Sequence, residues 1–278
     1  MAEEVVKREC YMSDEYERSL GTGALGIRAL TEDEQNELHA SVPAEELFDV
    51  PSDLDNIAMA DIAMADIATA DVIAEVSPRT SVPIDTYPFR AIAFLRIARQ
   101  GGFPIRGTGF FVSERVLVTA AHNLPSDLTS ISVFVKLNGT TTGPPFVTTN
   151  RRRNPGFASN TRADYGAVII NERVGEVTGW FVVPASVALP AAGALIQMSG
   201  YPSPGLHQLQ GSGPIVSIDS ETLLYGIDTE FGDSGAPVWI DTVPFPRLVG
   251  IHRAENGIAV PITQQASQRI RGWIAEAP

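Results

Sequence analysis

The chain has 278 residues, 44% hydrophobic and 19% charged, with a formal net charge of -13 and one cysteine, Cys10. Such a length supports a substantial buried core, the mix is that of a folded rather than a disordered chain, and one cysteine excludes a disulfide framework within the chain. The acidity is local: residues 1–71 hold 18 acidic against 4 basic residues (net -14) and residues 72–278 hold 15 against 16 (net +1), so nucleic acid, which needs concentrated positive charge, is excluded as a partner.

In chain order, the N-terminus MAEEVVKREC lacks the apolar stretch of a signal peptide. Thr31 with Glu34 fits a capping box for a short helix through Leu38. From Asn56 the sequence reads NIAMA, DIAMA, DIATA, DVIAE, a five-residue repeat. Five residues advance about 140° around a helix beyond a full turn, so no single apolar face develops. This marks residues 1–71 as an appended acidic segment, either a removable propeptide or a spacer. From about residue 80 the texture changes to short Val/Ile/Phe/Thr runs broken by Gly, Pro, Asn and Asp. They fall at 91–97, 107–112, 116–120, 131–137, 166–170, 195–198, 213–218, 222–227, 236–240, 248–252 and 257–260. Many short strands with turns between them, and no βαβ rhythm, predict an all-β sandwich or barrel. Arg151-Arg152-Arg153, among Asn, Gly and Pro, reads as a solvated loop. Ala266, Ile270, Trp273 and Ile274 share one face of a C-terminal helix that starts near Thr263 or Gln264. No apolar run reaches the roughly 18 residues of a membrane span.

Three motifs carry chemistry. In Phe231-Gly-Asp-Ser-Gly-Ala-Pro237, glycines flank Asp233-Ser234, which permits a tight turn with an exposed hydroxyl. The N–H groups of Gly232 and Ser234 are candidate donors to an oxyanion. Taken alone, the tetrapeptide also fits an ordinary turn. In Val116-Leu-Val-Thr-Ala-Ala-His122, an apolar strand ends in small residues and then delivers a histidine, the base that a serine hydroxyl requires. In Arg162-Ala-Asp-Tyr-Gly-Ala-Val-Ile-Ile170, Asp164 enters an apolar run, as a buried acid orienting a histidine would.

The order His122, Asp164, Ser234 resembles that of the chymotrypsin-fold serine proteases, and within them the bacterial-type glutamyl endopeptidases. The similarity lies in Pro88-Phe-Arg-Ala-Ile92, Asp228-Thr-Glu-Phe-Gly-Asp-Ser234 and Leu248-Val-Gly-Ile-His252. It departs at Phe231, Ala236 and Arg253-Ala-Glu255, which flank the substrate pocket. The resemblance implies two six-stranded antiparallel β-barrels with the site between them, over residues 72–275, and a peptidase with Thr229 and His252 binding a glutamate carboxylate. A protonated His252 would add charge to that pocket. Two rivals stay open: a basic preference through Asp228, and a protease homologue that only binds. An α/β-hydrolase is excluded by the chain order, which there begins with serine. The similarity of 73–79 to the start of the mature enzymes implies cleavage beside Asp71, freeing an α-amino group at Asp71 or Val72 near the pocket. Expected partners are peptide or protein substrates, with a monomeric state, no metal and no cofactor. Resemblance implies secretion although no signal peptide is visible.

Overall fold

The computed structural model describes residues 79–139 and 143–278. The expectations for the acidic segment, its repeat and the 31–38 helix lie outside the described residues.

Among the described residues, fourteen strands form two antiparallel sheets. The first contains β2 (Ile92–Arg99), β3 (Gly102–Phe111), β4 (Val116–Thr119), β5 (Leu128–Val135), β6 (Phe146–Thr148), β7 (Arg151–Arg153) and β8 (Gly166–Ile169), in the order β6-β5-β2-β3-β4-β8-β7. The second contains β1 (Thr80–Ser81), β9 (Leu195–Gly200), β10 (Leu209–Ile218), β11 (Leu223–Tyr225), β12 (Pro237–Ile240), β13 (Arg247–Ala254) and β14 (Ile258–Pro261). There β10-β11-β14-β13-β12-β9 closes on itself through a β9–β10 ladder, and β1 adds to the outside of β10.

The expectation of two closed six-stranded barrels is therefore corrected. One barrel closes with six strands; the other sheet is an open half-barrel of seven. The reason lies at its ends. The two edge strands, β6 and β7, are three residues each and consecutive in sequence, and they pair with different neighbours, β5 and β8. The chain between them turns a corner at Thr149-Asn150, stitched by the Thr148 hydroxyl donating to the Ile169 carbonyl at 2.9 Å rather than by a ladder. The arginine triplet is itself β7, not a loop. Charged side chains on an edge strand discourage further pairing with another chain.

The apolar runs are continuous rather than alternating because both faces of most strands are buried. In β2, Ala93, Leu95 and Ile97 face the interior of the first sheet with Phe111, Leu117, Ile131 and Val168. Ile92 and Phe94 point the other way, as a period of two requires. They join Phe110, Phe181, Tyr201, Trp239 and Ile251 in a cluster that spans both sheets. A third cluster, with Met198, Ile215, Tyr225 and Val238, fills the closed barrel.

The terminal helix, α2 (Gln264–Glu276), follows the single-turn α1 (Gly175–Thr178). Its N-cap is Thr263, whose hydroxyl accepts the Ala266 N–H at 3.1 Å. Ala266, Ile270 and Trp273 dock on the inter-sheet cluster, with Trp273 against Tyr165 at 5.8 Å between ring centroids. Among the described residues, no helix is long and apolar enough to cross a membrane.

Phe181 sits at the centre of the inter-sheet layer, with ring centroids 5.4 Å from Phe110 and 5.6 Å from Trp239. Phe181→Ala should cost about 3–5 kcal/mol, since a fully buried aromatic leaves a cavity its neighbours only partly fill. Denaturant unfolding of the variant against the parent measures this.

Candidate active site

The site is assembled from the ends of strands in both sheets. β4 ends at Thr119, and a 3-10 turn, Ala121–Asn123, presents His122. Ala120 and Ala121 are fully buried, so the turn lies flat against the core and only a small residue fits beneath it. Another 3-10 turn, Thr161–Ala163, is capped by the Asn160 side chain and delivers Asp164, with Tyr165 between it and β8. Asp164 is fully buried. Both of its oxygens serve His122: Oδ1 accepts the backbone N–H at 2.9 Å, and Oδ2 lies 2.5 Å from Nδ1. Two attachment points fix the orientation of the imidazole as well as its position.

Ser234 lies on the turn between Thr229 and β12. Its carbonyl accepts the Thr108 N–H at 2.8 Å and the Asn123 side-chain amide at 2.9 Å. The residue that follows His122 thus holds the residue expected to be the nucleophile. Among the described residues the Ser234 hydroxyl makes no hydrogen bond, to His122 or to any other group. The Gly232 carbonyl accepts from the Thr108 hydroxyl at 2.8 Å, and the Phe231 carbonyl from the Ser203 N–H at 2.6 Å.

The motif's glycines are dictated by this geometry. Gly232 has φ +96° and Gly235 φ +90°. A Cβ on Gly232 would fall 2.5 Å from the Tyr201 carbonyl oxygen, and one on Gly235 2.1 Å from that of Thr108. In this turn the N–H groups of Asp233 and Gly235 are bonded, to the Glu230 and His252 carbonyls. Among the described residues those of Gly232 and Ser234 have no acceptor.

Asp233, which sequence reasoning did not single out, is fully buried. The Arg79 guanidinium grips it at 2.5 and 2.9 Å, and the Glu230 N–H donates to it at 2.9 Å. Burial pushes its carboxyl above the usual range, and Arg79 pulls it back. Removing one partner of such a pair costs about 3–5 kcal/mol, because the other charge is left buried and uncompensated. No local signal in the sequence links residues 79 and 233.

His252, on β13, is 1% exposed, and its backbone is tied to the Ser234 turn through Gly235 and Ala236, each at 2.8 Å. The Tyr225 hydroxyl lies 2.7 Å from its Nδ1. Burial, reinforced by Arg79, His122 and Arg253, lowers its pKa to about 3. The ring is therefore neutral, contrary to the protonated form considered for a carboxylate pocket. Thr229 is buried, its hydroxyl oxygen accepting the Gly257 N–H at 3.3 Å, whereas its neighbour Asp228 is exposed. The structure thus brings His122 and Asp164 into direct contact, ties Ser234 and Gly232 to the same strand ends, and sets His252 beside them. Among the described residues, no group of three His, Cys, Asp or Glu side chains is placed to hold a metal ion.

A strand-end histidine–aspartate pair beside a Gly-Asp-Ser-Gly turn, on two packed β-sheets, agrees with the family comparison. Residues 83–274 match the model described as Trypsin, and the chain belongs to that family of serine proteases. It is similar to the glutamyl endopeptidase of Bacillus licheniformis, with 33% identity over 171 residues, covering 58% of this chain and 52% of that protein. It is 27% identical over 175 residues to a Bacillus subtilis protein named extracellular metalloprotease, covering 58% of this chain and 55% of that protein. The chain spans about half the length of these curated relatives. Among solved structures, a Glu endopeptidase in complex with MPD matches with a TM-score of 0.62 at 22% identity, over 73% of this chain and 100% of the other. The thermostable serine protease AL20, from an extremophilic microorganism, matches with a TM-score of 0.57 at 12% identity, over 68% and 98%. These structural likenesses establish the shared fold.

The His252 ring is neutral when buried and takes up a proton in the unfolded chain below about 6.5. Its folded pKa is the lower one, so its contribution to stability is complete above about pH 6.5 and is lost as pH falls towards about 3. His252→Gln should flatten the unfolding free energy against pH in that window relative to the parent. Denaturant titrations at several pH values compare the two slopes.

Proposed function

We propose that the chain is a serine endopeptidase with His122, Asp164 and Ser234 as its triad, cleaving after glutamate and less well after aspartate. The observation that carries this reading is that a fully buried Asp164 gives both oxygens to His122 while the residue beside His122 holds Ser234 by its carbonyl. A carboxylate on Nδ1 keeps the ring proton there and leaves Nε2 as the base. In this mechanism Nε2 takes the Ser234 hydroxyl proton as the oxygen attacks the scissile carbonyl. The Gly232 and Ser234 N–H groups, which have no acceptor among the described residues, receive the oxyanion. His122 then returns the proton to the leaving amine, and water releases the acyl group by the same route. Hydrogen bonds from a catalytic hydroxyl are often unformed without substrate.

Several observations support a carboxylate-binding pocket. The Thr229 hydroxyl oxygen accepts from Gly257 and, among the described residues, its O–H has no acceptor. His252 is bound by Tyr225 and adjoins the Ser234 turn. Arg79 and Arg253 act on that ring with positive potential, the sign that favours a substrate carboxylate. A buried carboxylate must recover its lost hydration from such donors. The basic-preference reading needs Asp228 inside the pocket, and its exposure counts against it. In this reading residues 72–275 are the hydrolase, residues 1–71 a removable segment, and the substrates peptides or proteins. The name of the Bacillus subtilis relative supports secretion.

Ser234→Ala, His122→Ala and Asp164→Asn should each lower kcat by about 10³-fold or more, with binding of a product peptide unchanged. Hydrolysis by purified Ser234→Ala at the parent rate overturns the triad and leaves the binding-module reading. For matched Glu, Gln and Arg peptides, kcat/KM should rank Glu first. His252→Leu should cost the Glu peptide far more than the Gln peptide, and Thr229→Val should do the same more weakly. An Arg preference abolished by Asp228→Asn reverses the specificity assignment.

A further inference from the structure

β2 lies between β5 and β3, yet it places an arginine in an otherwise apolar run. Arg96 shares a strand face with Ile92 and Phe94, the face turned towards the second sheet. Directly opposite it stand Ser132 of β5 and Arg106 of β3. Its diagonal neighbours on those strands, Ser130, Phe134 and Thr108, bring no carboxylate. Like charges directly opposite one another in a sheet are destabilising. The two arginines differ in their surroundings. Arg106 is buried, with its guanidinium 5.3 Å from the centroid of the Phe94 ring. It donates to the Ser203 hydroxyl at 3.3 Å and to the Pro204 and Gly205 carbonyls at 3.1 and 2.5 Å. Arg96 is half-buried, makes no hydrogen bond or ion pair among the described residues, and has its Nε enclosed without an acceptor.

This pair lies beside the Ser234 turn. Two residues past Arg106, about 7 Å along the strand, Thr108 donates its N–H to the Ser234 carbonyl and its hydroxyl to that of Gly232. Ser203, which accepts from Arg106, gives its own N–H to the Phe231 carbonyl. The arginines therefore adjoin the turn on the side of Phe231 and Gly232, whereas His252 is tied to its other side through Gly235 and Ala236. A peptide with its acyl-side glutamate at His252 crosses the turn at the scissile bond, and its leaving-group half runs towards β3. An extended chain covers about 3.3–3.6 Å per residue, so one or two residues bring it to Arg96. We propose that Arg96 is a specificity-determining residue that selects an acidic side chain at the first or second position beyond the scissile bond. The arriving carboxylate supplies the acceptor that the Arg96 guanidinium lacks. It also relieves the like-charge contact with Arg106, so it gains more than an isolated surface ion pair does. The inference rests on the serine-peptidase reading above and adds a preference on the leaving-group side.

The test uses the full chain and peptides that share an acyl-side Glu and carry Glu, Gln or Lys at the first or second position beyond the scissile bond. For the parent, kcat/KM should favour Glu over Gln at one of these positions by about tenfold, the scale of a hydrogen bond to a charged group. The ratio should shrink as salt rises from about 0.02 to about 0.5 M. Arg96→Gln should bring the ratio near one, Arg96→Lys should keep most of it, and Arg96→Glu should favour the Lys peptide. Acyl transfer isolates the leaving-group side. With a Glu ester as substrate, added dipeptide amides compete with water for the acyl-enzyme. An amide carrying Glu should capture more of it than one carrying Gln in the parent, and no more in Arg96→Gln. Should Arg96→Gln unfold, Arg96→Met, which keeps the length of the apolar stem and removes the charge, takes its place. Equal rates for the Glu and Gln peptides in a parent that cleaves both, a Glu preference that survives removal of the charge, or an equal loss on both peptides overturns the inference and leaves the serine-peptidase reading standing. A parent that cleaves none of the peptides and forms no acyl-enzyme overturns both.

Discussion

The aromatic layer between the two sheets is the constraint on which the rest depends. Phe94, Phe110, Phe181, Tyr201 and Trp239 interlock at ring-centroid distances of 5.4 to 5.8 Å. Such tilted and edge-on pairs add to the gain from burial alone and tolerate little sliding. His122 follows β4 and Asp164 precedes β8 of the first sheet, whereas Ser234 precedes β12 and His252 lies on β13 of the second. No covalent link joins the two halves of the site directly. Their separation is set by how these rings pack, and a close-packed interior transmits any change in that packing to the strand ends above it.

Over that layer lies a small polar network with a clear division of labour. Thr108 joins the two halves three times, by its N–H to Ser234, by its hydroxyl donating to Gly232 and by the same oxygen accepting the Tyr201 N–H, and its carbonyl accepts the Thr119 hydroxyl. Asn123 spans from Thr119 to Ser234. Apart from the two bonds from Arg79 to Asp233, the bonds that reach the Ser234 turn from outside come from backbone or from the short side chains of Thr108 and Asn123. Charge enters at two buried carboxylates, Asp164 and Asp233, and each is met by a partner reaching it at two points. Polar groups preorganised in this way need no rearrangement as charge develops on a substrate.

Much of the architecture was legible because burial on both faces leaves a strong apolar signal. Each of the eleven apolar runs in the sequence falls on an observed strand. The strands that escaped notice, β1, β6 and β7, are two or three residues long and lie at edges, where partner and solvent rather than side-chain pattern decide the pairing. Barrel closure was illegible for the same reason: it turns on whether short terminal segments pair, and composition does not encode that. Among the candidate site residues, His122, Asp164 and Ser234 could be nominated from sequence because each sits in a local motif. The neutrality of His252 was not, since it follows from complete burial beside Tyr225 and two arginines. Nor was the exposure of Asp228 next to a buried Thr229. Neither residue lies on a strand, so no alternation pattern could have foretold it. Arg79 was hidden by sequence distance alone.

The position of Arg79 also sets a limit on how the N-terminal region can be trimmed. The bond after it leads into Thr80 and Ser81, both exposed, so this stretch is open to other proteases. Any cut upstream of residue 79 leaves the guanidinium seated. A cut between Arg79 and Thr80 would leave the arginine, then a C-terminal residue, joined to the barrel wall by its hydrogen bonds to Asp233 and Leu209 alone.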